Sequence, residues 1–63
     1  MKMIELNYAG SSGSFLCNVE YIANVEPMSI GYERRTLVTM ADKRRYEVKE
    51  SVEQVRKLIE ECN

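Results

Sequence analysis

Glu47 and Glu50, three positions apart, could in principle act as a carboxylate pair in a 63-residue chain that contains no histidine. Paired carboxylates perform acid/base chemistry only when their surroundings drive their pKa values apart, and this spacing at the end of an alternating stretch places both in water. Without histidine there is no Ser-His-Asp or Cys-His nucleophile system and no imidazole ligand for a metal. Cys17 and Cys62 are too few for a zinc tetrad, and Glu20, Glu26 and Glu33 lack the spacing of a calcium loop. The run "AGSSGS" (residues 9–14) has the glycines of a phosphate loop. It lacks the Lys-Ser/Thr pair and the following helix, because Phe15-Leu16 comes next. The reading is a protein that is not an enzyme, with no catalytic, metal or cofactor residues.

The remaining chemistry is charge. Residues 1–33 carry -3, residues 34–49 carry +4 and residues 50–63 carry -2, so a net charge of -1 conceals a basic centre. Arg34, Arg35, Lys43, Arg44 and Arg45, with Tyr32 and Tyr46 among them, are the residue types that grip a phosphate backbone and stack on bases, which makes RNA or DNA binding one reading. The alternatives are contact with an acidic protein surface and a solvated basic hairpin whose charges keep the sheet from edge-to-edge association. In an extended strand the eight residues from Arg35 to Lys43 span about 26 Å at about 3.3 Å per residue, so the cations lie at opposite ends.

These residues need a scaffold, and apolar spacing outlines one. Ile4, Leu6 and Tyr8 alternate with polar neighbours, and Phe15, Cys17 and Val19 resume the alternation after a serine-glycine connection, predicting two strands. Val19, Ile22 and Val25 then fall three apart, predicting a single helical turn around "NVEYI" with Asn18 as its cap. Pro27 and Gly31 mark the connection that ends this segment, leaving Ile30 and Tyr32 as apolar residues without an assigned place.

The stretch "TLVTMADKRRYEV" (residues 36–48) predicts a hairpin with Ala41, Asp42 and Lys43 as its loop. Val38 then opposes Tyr46, Met40 opposes Arg44 and Thr36 opposes Val48 on one apolar face. Lys43 falls where φ > 0 is wanted, a position that suits glycine. Leu37 is sent to the polar face with Thr39, Arg45 and Glu47. It joins Arg34, Arg35, Lys43, Arg44 and Arg45 as a candidate interaction surface.

Ser51 followed three residues later by Gln54 has the form of a capping box, the structural cap of a helix. Val52, Val55, Leu58, Ile59 and Cys62 then recur at helical spacing, with Glu53, Arg56, Lys57, Glu60 and Glu61 turned to water. The expected fold is α+β, an antiparallel β-meander of four to five short strands with one C-terminal helix packed on the sheet, forming one domain over residues 1–63. Its expected core is Ile4, Leu6, Phe15, Cys17, Val19, Ile22, Val25, Val38, Met40, Tyr46, Val48, Val55, Leu58 and Ile59.

A chain of this length buries only roughly 60% of the surface it exposes when unfolded, so a homo-oligomer or another protein partner is expected to supply missing core. No apolar run approaches the roughly 18 residues of a membrane span, and "MKMIELNYAG" alternates instead of offering a signal core. The expectation is a cytoplasmic protein without membrane contact, with two reduced thiols rather than a bridge.

Two segments, "FLCNVEYIANVE" (residues 15–26) and "LVTMADKRRYEVKESVEQVRKLI" (residues 37–59), together resemble the small FlbD/SwrD-type flagellar and swarming motility proteins. The first resembles that family's Asn-x-acidic-x-Ile pattern ahead of Val-Glu. The second resembles its hairpin, basic strand and Val-Lys-Glu-Ser entry to a C-terminal helix. At the hairpin the family carries Asn-Gly where this chain has Asp42-Lys43. Similar sequences occur in small proteins of mobile elements and phages. The resemblance implies a cytoplasmic accessory factor without catalytic residues, in which Asn18, Ile22, Lys49, Glu50 and Ser51 are structural positions.

Overall fold

The computed structural model describes residues 2–62. Five strands and one helix follow in the order β1 (Met3–Asn7), β2 (Ser14–Asn18), β3 (Ile22–Ile30), β4 (Glu33–Met40), β5 (Arg45–Val48) and α1 (Val52–Glu61). A single turn of 3-10 helix, Val19–Tyr21, links β2 to β3. Asn18 caps that turn by accepting from the Glu20 backbone N–H at 3.0 Å, the local bond that makes asparagine a good helix starter.

All neighbouring strands are antiparallel: β1 pairs with β2, and β3, β4 and β5 form a second, consecutive sheet. The two sheets meet where the chain after β1 runs beside β5. Tyr8 bridges Val48. The Ala9 N–H donates to the Glu47 carbonyl and the Lys49 N–H to the Asn7 carbonyl, each at 2.9 Å. Tyr8, Phe15 and Tyr46 fasten this seam on the side-chain level. The Tyr8 and Phe15 rings stack with centroids 4.6 Å apart, and Phe15 and Tyr46 tilt together at 5.0 Å.

The β4–β5 hairpin has the expected register, with Thr36 opposite Val48 and Val38 opposite Tyr46. Its loop closes through Met40 N–H to the Arg44 carbonyl at 2.8 Å and Lys43 N–H to the Met40 carbonyl at 2.9 Å. Lys43 takes φ 74° there, a left-handed lysine.

The segment after the 3-10 turn corrects the expectation of a connection from Pro27 to Gly31. It continues as the nine-residue strand β3, passes through Pro27, and turns only at Gly31-Tyr32. Ile30 pairs with Glu33 across that two-residue turn, and Gly31 supplies its left-handed position with φ 61°. Proline is tolerated because β3 is an edge strand. Counting back from the bonded Ile30–Glu33 pair, Pro27 falls on an alternate position whose nitrogen faces away from β4 and needs no hydrogen. Val25, expected beside the helical turn, is likewise in β3, paired with Val38.

Ile4, Leu6, Cys17, Val38, Val48 and Val55 form the buried centre, with Phe15, Val19, Ile22, Val25, Met40, Tyr46, Leu58 and Ile59 packed partly buried around it. Every expected core residue is therefore in the cluster. Thr36, expected on the apolar face of the hairpin, is buried, and Cys62, expected on the helical stripe, is half-buried against the cluster; Ala9 is buried as well. The Ser51 capping box is present in both directions, Gln54 N–H to Ser51 Oγ at 3.1 Å and Ser51 N–H to Gln54 Oε1 at 2.8 Å. Of the helical stripe, only Val55 is fully buried.

Candidate interaction surface

Strand alternation separates the six candidate residues. With Thr36 and Val38 facing the core, Arg35, Leu37 and Arg45 fall on the opposite face, where Met28, Glu26 and Glu47 stand across from them on β3 and β5. Arg34 has the other parity and lies exposed near the β3–β4 turn, whereas Lys43 and Arg44 sit at the far loop. The structure therefore brings Arg35, Leu37 and Arg45 together and leaves the other three apart. Leu37 is only half-exposed, set in a depression of about 450 Å³ with Met28, Arg35, Arg45, Glu47 and the Tyr8–Ser11 segment around it.

Arg35 is not a free cation. Its Nη2 donates to Glu33 at 2.7 Å and its Nη1 to Glu47 at 2.6 Å, so one guanidinium ties two carboxylates on β4 and β5. The side chain is 17% exposed. The bonds to Glu33, then Glu47, hold its pKa above the ordinary arginine value, and it stays charged at every pH a protein tolerates. Gly10 takes φ 78° over this guanidinium, and a β-carbon there would sit 3.2 Å from Nη1, so a larger residue would be strained in the backbone and would push the arginine aside. Nε is buried without a hydrogen-bond partner. Of the other cations, Arg44 is paired to Asp42 at 3.3 Å, and Arg34, Lys43 and Arg45 make no ion pair among the described residues.

Sequence reasoning missed a protruding element. β5 accompanies β4 only from Thr36 to Thr39, so the pairs from Met28–Arg35 to Ile30–Glu33 extend beyond it as a two-stranded arm. At its tip Ile30 is 49% exposed and Tyr32 fully so. The signal was in the sequence as two apolar residues flanking Gly31 with no place in the core. Arg35 fixes the base of this arm to β5.

The other side of the molecule carries a second depression, of about 380 Å³, between β3 and α1, lined by Val25, Val52, Val55, Arg56, Ile59 and Glu60. The two cysteines are free, and the Cys17 thiol, buried, lies 3.7 Å from the Met40 sulfur. Burial pushes its pKa up, which makes it a poor nucleophile. Among the described residues no three His, Cys, Asp or Glu side chains converge as a metal site, and no helix is long and apolar enough to cross a membrane. Compared with protein-family models, curated proteins and solved structures, the chain matches none.

Proposed function

We propose that this protein is a small cytoplasmic accessory factor that acts by binding another protein and performs no catalysis, with the β3–β4 arm as its contact element. The supporting observation is the arm's tip. Ile30 and Tyr32 are exposed at the tip of a ribbon whose base is tied to β5 by Arg35, and aromatic side chains are among those that dominate protein interfaces. Full exposure leaves the Tyr32 ring available to a partner. The resemblance to motility accessory proteins, and to small proteins of mobile elements, agrees with a role of this kind.

The test is a photo-crosslinking amino acid in place of Tyr32 in the cells that produce the protein. A discrete adduct with one other protein, lost when Ile30→Asp is added, is the expected result; an arm that crosslinks to nothing overturns the reading. Because the tip is solvated, Ile30→Asp should leave stability within about 0.5 kcal/mol.

A second reading, an RNA- or DNA-binding module, is favoured by Arg34, Lys43 and Arg45, three of the candidate cations that make no ion pair among the described residues. They are spread from the arm to the far loop, so they would follow a phosphate backbone rather than read bases. A mixed-sequence oligonucleotide should then bind at low ionic strength and lose affinity steeply with salt. Absence of binding at low salt eliminates this alternative.

A further inference from the structure

The geometry points to a phosphate site at the start of α1, a cleft in which the helix N-terminus, Thr36, Arg34 and Lys49 together take the dianion of free phosphate or of a small phosphate monoester. The site does not rest on the arm's role in binding a protein.

The cleft, of about 510 Å³, opens between the β3–β4 pair and the first turn of α1, with Pro27 and Val52 as apolar walls. That is the size of a small-ligand site. One side of it is the amide end of the helix. The capping box occupies the Gln54 N–H, whereas those of Val52 and Glu53 have no partner among the described residues, so two donors and the positive end of the helix dipole remain for an anion.

Thr36 points to a ligand independently of the helix. It is only 2% exposed, and strand alternation puts it on the same face of β4 as Arg34. Its neighbours across the strands, Pro27 and Val48, offer its side chain no acceptor. Among the described residues its hydroxyl makes no hydrogen bond, yet unlike Arg35 Nε it is not shut off from the surface, and the opening it has is onto this cleft. A buried hydroxyl without a partner costs stability that valine would not, and a ligand oxygen in the cleft supplies the missing acceptor.

The charges select the ligand. Arg34 and Lys49 are exposed at the rim, and neither makes an ion pair among the described residues. Arg35 also borders the cleft but is committed to Glu33 and Glu47. The carboxylate at the rim, Glu53, is drawn along the helix to Arg56 at 3.1 Å. Two cations beside an amide end match the nearly double charge of a phosphate monoester better than the single charge of a diester.

Amide spectra of isotope-labelled protein, titrated with inorganic phosphate or with phenyl phosphate at an ionic strength held constant with chloride, provide the test. The Val52 and Glu53 amides should move saturably with both probes and stay in place with chloride alone. Binding of phenyl phosphate tighter by about threefold or more, through Pro27 and Val52, assigns an organic ester as the source, and equal binding assigns free phosphate; both results support the site. Thr36→Val should weaken both probes about tenfold, the worth of a hydrogen bond to a charged group, while its thermal midpoint stays level or rises because an unpaired buried hydroxyl has gone. Lys49→Gln and Arg34→Gln should each weaken them about threefold. Amides that never saturate, binding indifferent to Thr36→Val, or a Thr36→Val variant that melts earlier and so reveals a hydroxyl used by the fold, overturns the proposal. So does an oligonucleotide without terminal phosphates that moves the same two amides at lower concentration than either probe, which would give the cleft to a nucleic-acid backbone.

Discussion

Glu50 holds Asn7 through both of its carboxylate oxygens. Oε1 accepts from the Asn7 backbone N–H at 3.0 Å and Oε2 from its side-chain amide at 2.6 Å, across 43 residues of chain. One position earlier the Lys49 N–H donates to the Asn7 carbonyl. Asn7 is thus bonded at its backbone N–H, its carbonyl and its side-chain amide nitrogen by the corner that precedes Ser51 and leads into α1. Glu50 was paired with Glu47 by sequence spacing alone; the fold instead gives the two carboxylates separate structural partners, Asn7 and Arg35.

Removing that clasp tests its weight. Glu50→Ala deletes both charge-assisted bonds and should destabilise by about 1 kcal/mol, since the pair is exposed and water replaces part of what is lost. Glu50→Gln keeps one acceptor and should lose about half as much. Urea unfolding midpoints at constant slope provide the measurement, and equal loss from both variants would show that the bidentate geometry carries no weight.

Lys43 predicts a gain. A side chain at φ 74° carries a steric cost that glycine does not, and at this position glycine's extra unfolded freedom is the smaller effect. Lys43→Gly should raise stability by up to about 1 kcal/mol, whereas Ala41→Gly, which relieves no such strain, should lower it slightly. Thermal melts of the two variants on the same hairpin separate strain relief from loop flexibility.

The hairpin and helix were legible in sequence because each carried two agreeing signals. Alternation and a loop of fixed length set the β4–β5 register, while a capping pair preceded a helical stripe at Ser51. The middle of the chain sent a misleading one. β3 is an edge strand with an irregularity between Ile22 and Asn24, and its half-buried residues, Ile22, Val25 and Met28, come three apart, the spacing of a helix. Pro27 then reads as a break, although on an unpaired edge it disrupts nothing. The interaction surface was only partly legible. Composition located the cations, but which of them is neutralised depends on Glu33 along the same strand and Glu47 on the neighbouring one both meeting Arg35, and on Gly10 closing over it.

Burial within α1 inverts the usual order of truncation costs. Val55 is fully buried, and Val55→Ala leaves a void in the centre of the core, costing about 2–3 kcal/mol. Leu58 removes more atoms when cut to alanine, yet it is half-exposed, so Leu58→Ala should cost only about 1–2 kcal/mol. Chemical denaturation of dilute protein, below any association, makes the comparison. A larger loss at Leu58 would mean that the helix is seated on that side and not on Val55.

Cys17 gives the fold a sensitivity to alkali. Its buried thiol has a pKa raised above the ordinary 9.0 by desolvation, so the folded chain keeps the proton after the unfolded chain has released it. The stabilisation is therefore fully present below pH 9.0 and is lost as pH climbs from there through the folded pKa. Over that window the slope contributed by this one group approaches about 1.4 kcal/mol per pH unit. Tyrosines and lysines titrate in the same range, so the comparison that isolates the thiol is Cys17→Ala. This variant should be less stable at neutral pH, because it vacates volume beside Met40, and should lose less further stability between neutrality and high pH than the parent does. Parallel stability curves for the two proteins would mean that the thiol ionises as readily inside the fold as outside it.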